Sequence, residues 1–169
     1  MTETILKMQK KVKRYLDKDR YDHTIGVMHT AGCLAMRYGA NLEQALTAGL
    51  LHDCAKCVPA DEKIKLCEKN HIEISDAEYK NPGLLHAKLG AFFARKKYGI
   101  ENEEILRSIE SHTTGRPNMS LLDKIIYIAD YIEPGRDVAP NLPEVRALAF
   151  VDIDACLYRI LEDTLAYLA

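Results

Sequence analysis

The sequence has no apolar run near the roughly 18 residues that span a bilayer. It also lacks a basic start leading into an apolar stretch and a cleavage site. A soluble, cytoplasmic protein with no membrane role is expected. There is no excess of positive charge either: 23 Lys and Arg stand against 25 Asp and Glu, for a formal net charge of −2. No general field therefore exists to hold a nucleic-acid backbone, and an anionic ligand must be gripped locally. Lys7, Lys10, Lys11, Lys13 and Arg14 alternate with apolar positions and read as the wet side of an amphipathic helix rather than a nucleic-acid or membrane patch. The five cysteines, Cys33, Cys54, Cys57, Cys67 and Cys156, lack the spacing of a disulfide framework, so reduced thiols are expected. Cys54 and Cys57 form a C-x-x-C, but one that closes a helix with no strand before it, unlike redox motifs. Glycine-rich phosphate loops and the Rossmann fingerprint are missing, which argues against an NTPase or a dinucleotide-dependent dehydrogenase. Alternating strand patterns and tight hairpin turns are missing too.

What remains is helical. The 169 residues, 47% hydrophobic and 28% charged, suit one globular domain over 1–169, because a chain of that length buries about two-thirds of its surface. From residue 22 to Tyr38 the stripe Val27, Met28, Ala31, Leu34, Ala35 keeps helical spacing and stops at Gly39. Asn41 caps a second helix that is apolar almost all round and runs to about Ala55, so it belongs in the centre. Shorter helices are expected at about 60–69 and after the capping box Ser75 to Glu78. Longer ones are expected at about 84–98, 102–113, 120–133 and 152–168, with a proline-containing stretch at 134–143. The fold class is an all-α bundle of seven or more helices.

The chemistry lies in where polar residues interrupt apolar stripes. His23 precedes Val27 by four; His52 and Asp53 follow Ala45 and Leu46 by seven. His86 precedes Leu89 and Phe93 by three and seven, His112 follows Ile109 and Ile105 by three and seven, and Asp130 follows Ile126 by four. A single histidine on such a stripe is ordinarily a hydrogen-bonded core residue; His29, nearly opposite His23 on its helix, and His71, in a polar stretch, are assigned no role. A buried carboxylate is different, because desolvation costs several kcal/mol unless a cation or strong donors compensate. Imidazoles and carboxylates presented inward from separate helices build metal centres. The mixed nitrogen and oxygen set suits Fe, Mn, Co, Ni or Zn rather than Ca or Mg. Six ligands exceed what one open tetrahedral site takes, so two ions sharing the Asp53 carboxylate is the economical arrangement.

The order His23, His52-Asp53, Asp130 resembles the signature of the HD-domain metal-dependent phosphohydrolases. Within them the chain is similar to the YqeK group, which cleaves dinucleoside tetraphosphates symmetrically. The matching stretches are Arg20 to Thr24, Gly49 to Lys56, Leu85-His86-Ala87 with Gly90-Ala91, Ser111 to Arg116, and Ala129 to Arg136. The resemblance runs over about residues 15 to 165, and the His-Thr-Thr-Gly and Ala-Asp-Tyr-Ile-Glu-Pro-Gly-Arg segments are the specific ones. The resemblance implies an HD-domain bundle with two divalent ions, iron first. His23, His52, Asp53 and Asp130 would hold one ion, and Asp53, His86 and His112 the other. It further implies hydrolysis of diadenosine tetraphosphate to two ADP, with ADP or GDP as a product-like ligand and no nucleic-acid partner. A homodimer is compatible with this reading, and oligomeric state is not encoded in the motifs.

On that reading a water bridging two ions loses its proton near neutral pH and attacks an inner phosphorus in line, with Asp53 and Lys56 as the catalytic residues. Lys56, one turn after Asp53, would support the leaving group; the alternative is a plain salt bridge to Asp53 or a solvent-facing lysine. Arg116 and Arg136 would bind phosphate, or form surface ion pairs. Thr113 and Thr114 would donate to phosphate oxygens, or cap the helix end. Arg20 would orient the site from behind the ligands. Asp123, three after Ser120, is assigned to helix capping. The rivals are another HD phosphohydrolase acting on a different nucleotide and a non-catalytic, metal-containing nucleotide sensor.

Overall fold

Capping residues and left-handed glycines set most element boundaries in the computed structural model, which describes residues 2–168. The first helix, α1 (Glu3–Val12), opens on the Thr2 hydroxyl and buries Ile5, Met8 and Val12, leaving Lys7, Lys10, Lys13 and Arg14 exposed. Helix α2 (Lys18–Tyr38) begins earlier than the expected residue 22. Asp17 accepts from the Arg20 amide at 2.8 Å and nucleates a polar first turn that carries no apolar period. The helix ends at Gly39, whose φ of 70° admits the left-handed closure.

Helix α3 (Leu42–Leu51) starts on the Asn41 side chain as expected but stops short of Ala55. Residues 52–57 continue as tight turns, with Cys54 N bonded to Leu51 O at 3.1 Å and Lys56 N to Asp53 O at 2.9 Å. A three-residue turn keeps nearly the same burial pattern as a helix, so periodicity alone carried the expectation too far. Then follow α4 (Ala60–Lys69), α5 (Asp76–Lys80), a 3₁₀ turn (Pro82–Leu85), α6 (His86–Tyr98), α7 (Glu103–Ser111) and α8 (Leu121–Ile132). Both expected capping boxes form, Ser75 with Glu78 and Ser120 with Asp123. Helix α9 (Leu142–Ala149) was not anticipated beyond the proline-containing stretch; Pro143 stands in its first turn rather than in a loop, a position proline tolerates. Helix α10 (Ile153–Leu168) completes the fold. Among the described residues there is no strand, and no helix is long and apolar enough to cross a membrane.

Helix α2 packs against α3 and α8, and α7 against α3, α6 and α8. Val27, Met28, Leu34, Leu50, Leu51, Ile125, Ile126 and Ile128 are wholly buried in the main core, each contributing roughly 1.5–3 kcal/mol. A smaller core joins Cys54, Ala55 and Cys67 to Leu85, Leu89 and Phe93. Asp53 thus joins residues of the two cores along the chain, and His86 directly follows Leu85, so packing on both sides immobilises them. Helices α2 and α3 touch at backbone distance: a Cβ on Gly49 would lie 2.9 Å from Met28 Cα and 3.3 Å from Val27 O. Gly49→Ala is therefore expected to cost about 1–3 kcal/mol, read as a lower thermal midpoint; an unchanged midpoint would show that the two helices separate freely.

Candidate metal centre

Three of the four inward histidines stand at the end of a helical turn. His52 caps α3, His86 caps the 3₁₀ turn, and His112 caps α7. Carbonyls in a last turn lack the usual i+4 helical donor, and each ring bonds to one of them. His52 Nδ1 donates to Gly49 O at 2.7 Å, His86 Nδ1 to Gly83 O at 2.5 Å and His112 Nδ1 to Ile109 O at 2.6 Å. That bond places the proton on Nδ1 and leaves Nε2 as a lone-pair donor facing inward. His23 lies inside α2 and bonds instead through Nδ1 to Glu133 Oε1 at 3.0 Å. The rings form a row, with centroids 5.4 Å apart for His23 and His52, 5.0 Å for His52 and His112, and 5.0 Å for His112 and His86.

The Asp53 carboxylate sits across this row. Its Oδ2 is 3.6 Å from His52 Nε2 and 4.0 Å from His23 Nε2, while Oδ1 is 3.2 Å from His86 Nε2 and 3.5 Å from His112 Nε2. Asp130 Oδ1 closes the first side, 3.0 Å from His23 Nε2 and 3.9 Å from His52 Nε2. One atom each from His23, His52 and Asp130 lies within 4.8 Å of the others, and the same holds for His52, Asp53 and His112. Arg20 Nη1 donates to Asp53 Oδ2 at 2.9 Å, and Arg136 Nη2 to Asp130 Oδ1 at 2.8 Å.

Three buried atoms here, His23 Nε2, His52 Nε2 and Asp53 Oδ1, have no hydrogen-bond partner. Orphaned acceptors converging on one space are costly unless a cation binds them, so the residues present fit a metal. Burial holds the His52 pKa down to about 4, keeping the ring neutral, and burial also lowers His86. At His112 burial is outweighed by the nearby Asp53 and Asp130 carboxylates, and the pKa rises. Burial pushes Asp53 and Asp130 up, but the surrounding imidazoles win and both stay well below the usual carboxylate range.

At the His86 end, Lys56 Nζ donates to His86 Nε2 at 3.3 Å, and Thr113 Oγ1 is 3.1 Å from both His86 Nε2 and His112 Nε2. The alternative salt bridge from Lys56 to Asp53 does not form within 4.0 Å. Thr114 and Arg116 are not brought to the cluster: the Thr114 hydroxyl donates to Gly115 O at 3.3 Å, and Arg116 Nη2 pairs with the buried Asp123 at 2.5 Å. Asp123 meanwhile caps α8 as expected. His29 and His71 are exposed. A cleft of about 630 Å³ opens beside His23, lined by Arg20, Tyr131, Glu133 and Arg136. Sequence reasoning passed over Glu133, which is 3% exposed. Its signal was position, because an acid at a helix C-terminus opposes the helix dipole and needs another reason to be there.

Comparison with known proteins bears on this geometry. A family model described as HD domain matches residues 20–135. The chain is 41% identical over 157 residues to the Bacillus subtilis (strain 168) protein named "Bis(5'-nucleosyl)-tetraphosphatase, symmetrical", covering 93% of this chain and 83% of that one. A Halalkalibacterium halodurans protein of the same name is 44% identical over the same shares. Among solved structures, a Clostridium acetobutylicum protein described as a predicted HD superfamily hydrolase involved in NAD metabolism superposes with a TM-score of 0.91 at 44% identity, covering 95% of this chain and 85% of that one.

Proposed function

The chain belongs to the HD-domain family, and on that premise we propose that it is a metal-dependent hydrolase cleaving diadenosine tetraphosphate symmetrically to two ADP. The observation that carries the reading is the division of Asp53, Oδ2 toward His23 and His52 and Oδ1 toward His86 and His112. A carboxylate so placed would serve two ions. His23, His52, Asp53 and Asp130 would hold one, and Asp53, His86 and His112 the other, with iron favoured over Mn, Co, Ni or Zn. The activity for which the relatives are named supplies the substrate class.

When bound, divalent ions supply an activated water and neutralise charge on the phosphoryl group under attack. The protein's part is to orient and to bind. The Nδ1 hydrogen bonds aim each Nε2, and Arg20 holds Asp53 from outside the row. Arg136, 41% exposed in its side chain, reaches Asp130 from the open cleft, where its remaining donors meet phosphate oxygens bidentately. Lys56 and Thr113 offer donors at the opposite edge, suited to a departing nucleoside diphosphate. Thr114 and Arg116 face elsewhere and take no part in this reading.

Chromatography of products from metal-loaded protein tests the proposal. Two ADP per diadenosine tetraphosphate are expected. Production of ATP plus AMP, or turnover of another nucleotide with this one untouched, overturns it; tight nucleotide binding without product favours a sensor.

A further inference from the structure

Glu133 is a buried carboxylate outside the proposed ligand set. Its Oε1 accepts from His23 Nδ1 at 3.0 Å and its Oε2 from the Gly135 amide at 2.7 Å. The other three rings need no such help, because each reaches a carbonyl three residues back at the end of a helical turn. His23 stands in the interior of α2, where the preceding carbonyls already accept helical hydrogen bonds. Its Nδ1 takes its acceptor from outside the helix, and Glu133 is that acceptor.

Two further features hold Glu133 in place. Gly26, three residues after His23 on α2, leaves the room its carboxylate occupies: a Cβ there would overlap Oε2 and sit 3.1 Å from Cδ. Arg146 of α9 braces the turn from the other side, with Nε donating to Ile132 O at 2.8 Å and Nη2 to Glu133 O and Arg136 O at 2.8 Å each. One guanidinium thus ties down the segment bearing both Glu133 and Arg136.

We propose that Glu133, seated by Gly26 and Arg146, is a positioning residue that directs His23 Nε2 into the centre and places a negative charge behind that ring alone, making the His23 side the tighter of the two metal positions. This rests on the metal reading above. A carboxylate behind a metal-binding imidazole fixes its tautomer and strengthens it as a donor, and its loss typically weakens metal binding about 10–100-fold.

The test uses Mn(II) alone, measuring stoichiometry by elemental analysis after dialysis and release to a chelator, with circular dichroism as the check on folding. Wild type is expected to hold two ions with distinct release rates. In Glu133→Ala the slower phase should accelerate about 10–100-fold while the faster one stays put. Glu133→Gln, which keeps an acceptor without the charge, should fall between. Gly26→Ala favours the helix intrinsically and should reproduce the acceleration by displacing the carboxylate, which decides the matter if Glu133→Ala does not fold. In a His23→Ala background Glu133→Ala should add nothing. Unchanged release in the folded variants, equal acceleration of both phases, or full persistence of the effect without His23 overturns the inference. A wild-type protein that binds no ion overturns the metal reading instead.

Discussion

Replacing Asp53 by Ala is expected to strip the protein of metal and lower hydrolysis by about 10³-fold or more, a barrier increase of about 4 kcal/mol. The size of the effect follows from geometry. Asp53 turns one oxygen to each half of the centre, Oδ1 toward His86 and His112 and Oδ2 toward His23 and His52. Removing it also leaves Arg20 without its carboxylate, so the positive charge that balanced Asp53 now repels cations. Asp53→Asn keeps the shape and one acceptor but not the charge, and should retain less than half of the bound metal. Elemental analysis and steady-state rates on the same preparations check both. His29→Ala, an exposed residue of α2 away from the row, should match wild type. A folded Asp53→Ala protein with full metal and wild-type turnover would end the bridging assignment.

Removing the metal should destabilise the fold as a whole. The proposed ligands run from residue 23 to residue 130 and come from α2, α6, α8 and the ends of α3 and α7, so an unfolded chain cannot assemble them. An ion at 100 to 1,000 times its dissociation constant stabilises the native state by about 2.7–4.1 kcal/mol per site. For a chain of this size each kcal/mol moves the thermal midpoint by about 2–4 °C, so stripping one site should lower it by about 5–16 °C. Calorimetry before and after chelation reads the shift. Adding back Mn(II) should restore it, and Ca(II), which prefers oxygen ligands throughout, should not. A midpoint indifferent to the chelator would mean that the cluster is held by its own hydrogen bonds alone.

Much of this site was legible because it is written in local patterns. The apolar period of α2 and α8 put His23 and Asp130 on inward faces, and cap residues such as Asn41 and Ser120 placed the helices that carry the rest. Those signals need only the pleat of one helix and the hydrogen-bonding needs of its ends, which neighbouring residues determine. The same patterns misjudged α3 beyond Leu51, where a tight turn mimics helical burial, and passed over α9, whose eight residues hold only a short buried face.

The sequence by itself determined which elements form and which polar residues must turn inward. Only the tertiary structure decided what each meets there. It divided Asp53 between two pairs of imidazoles, sent Arg116 to Asp123 rather than to the cleft, and brought Glu133 to His23 across 110 residues of chain. Periodicity states which side of a helix is dry, but a contact between distant segments depends on how whole helices pack. A space as small as the missing side chain of Gly26 acquires its meaning only when another helix end arrives to fill it.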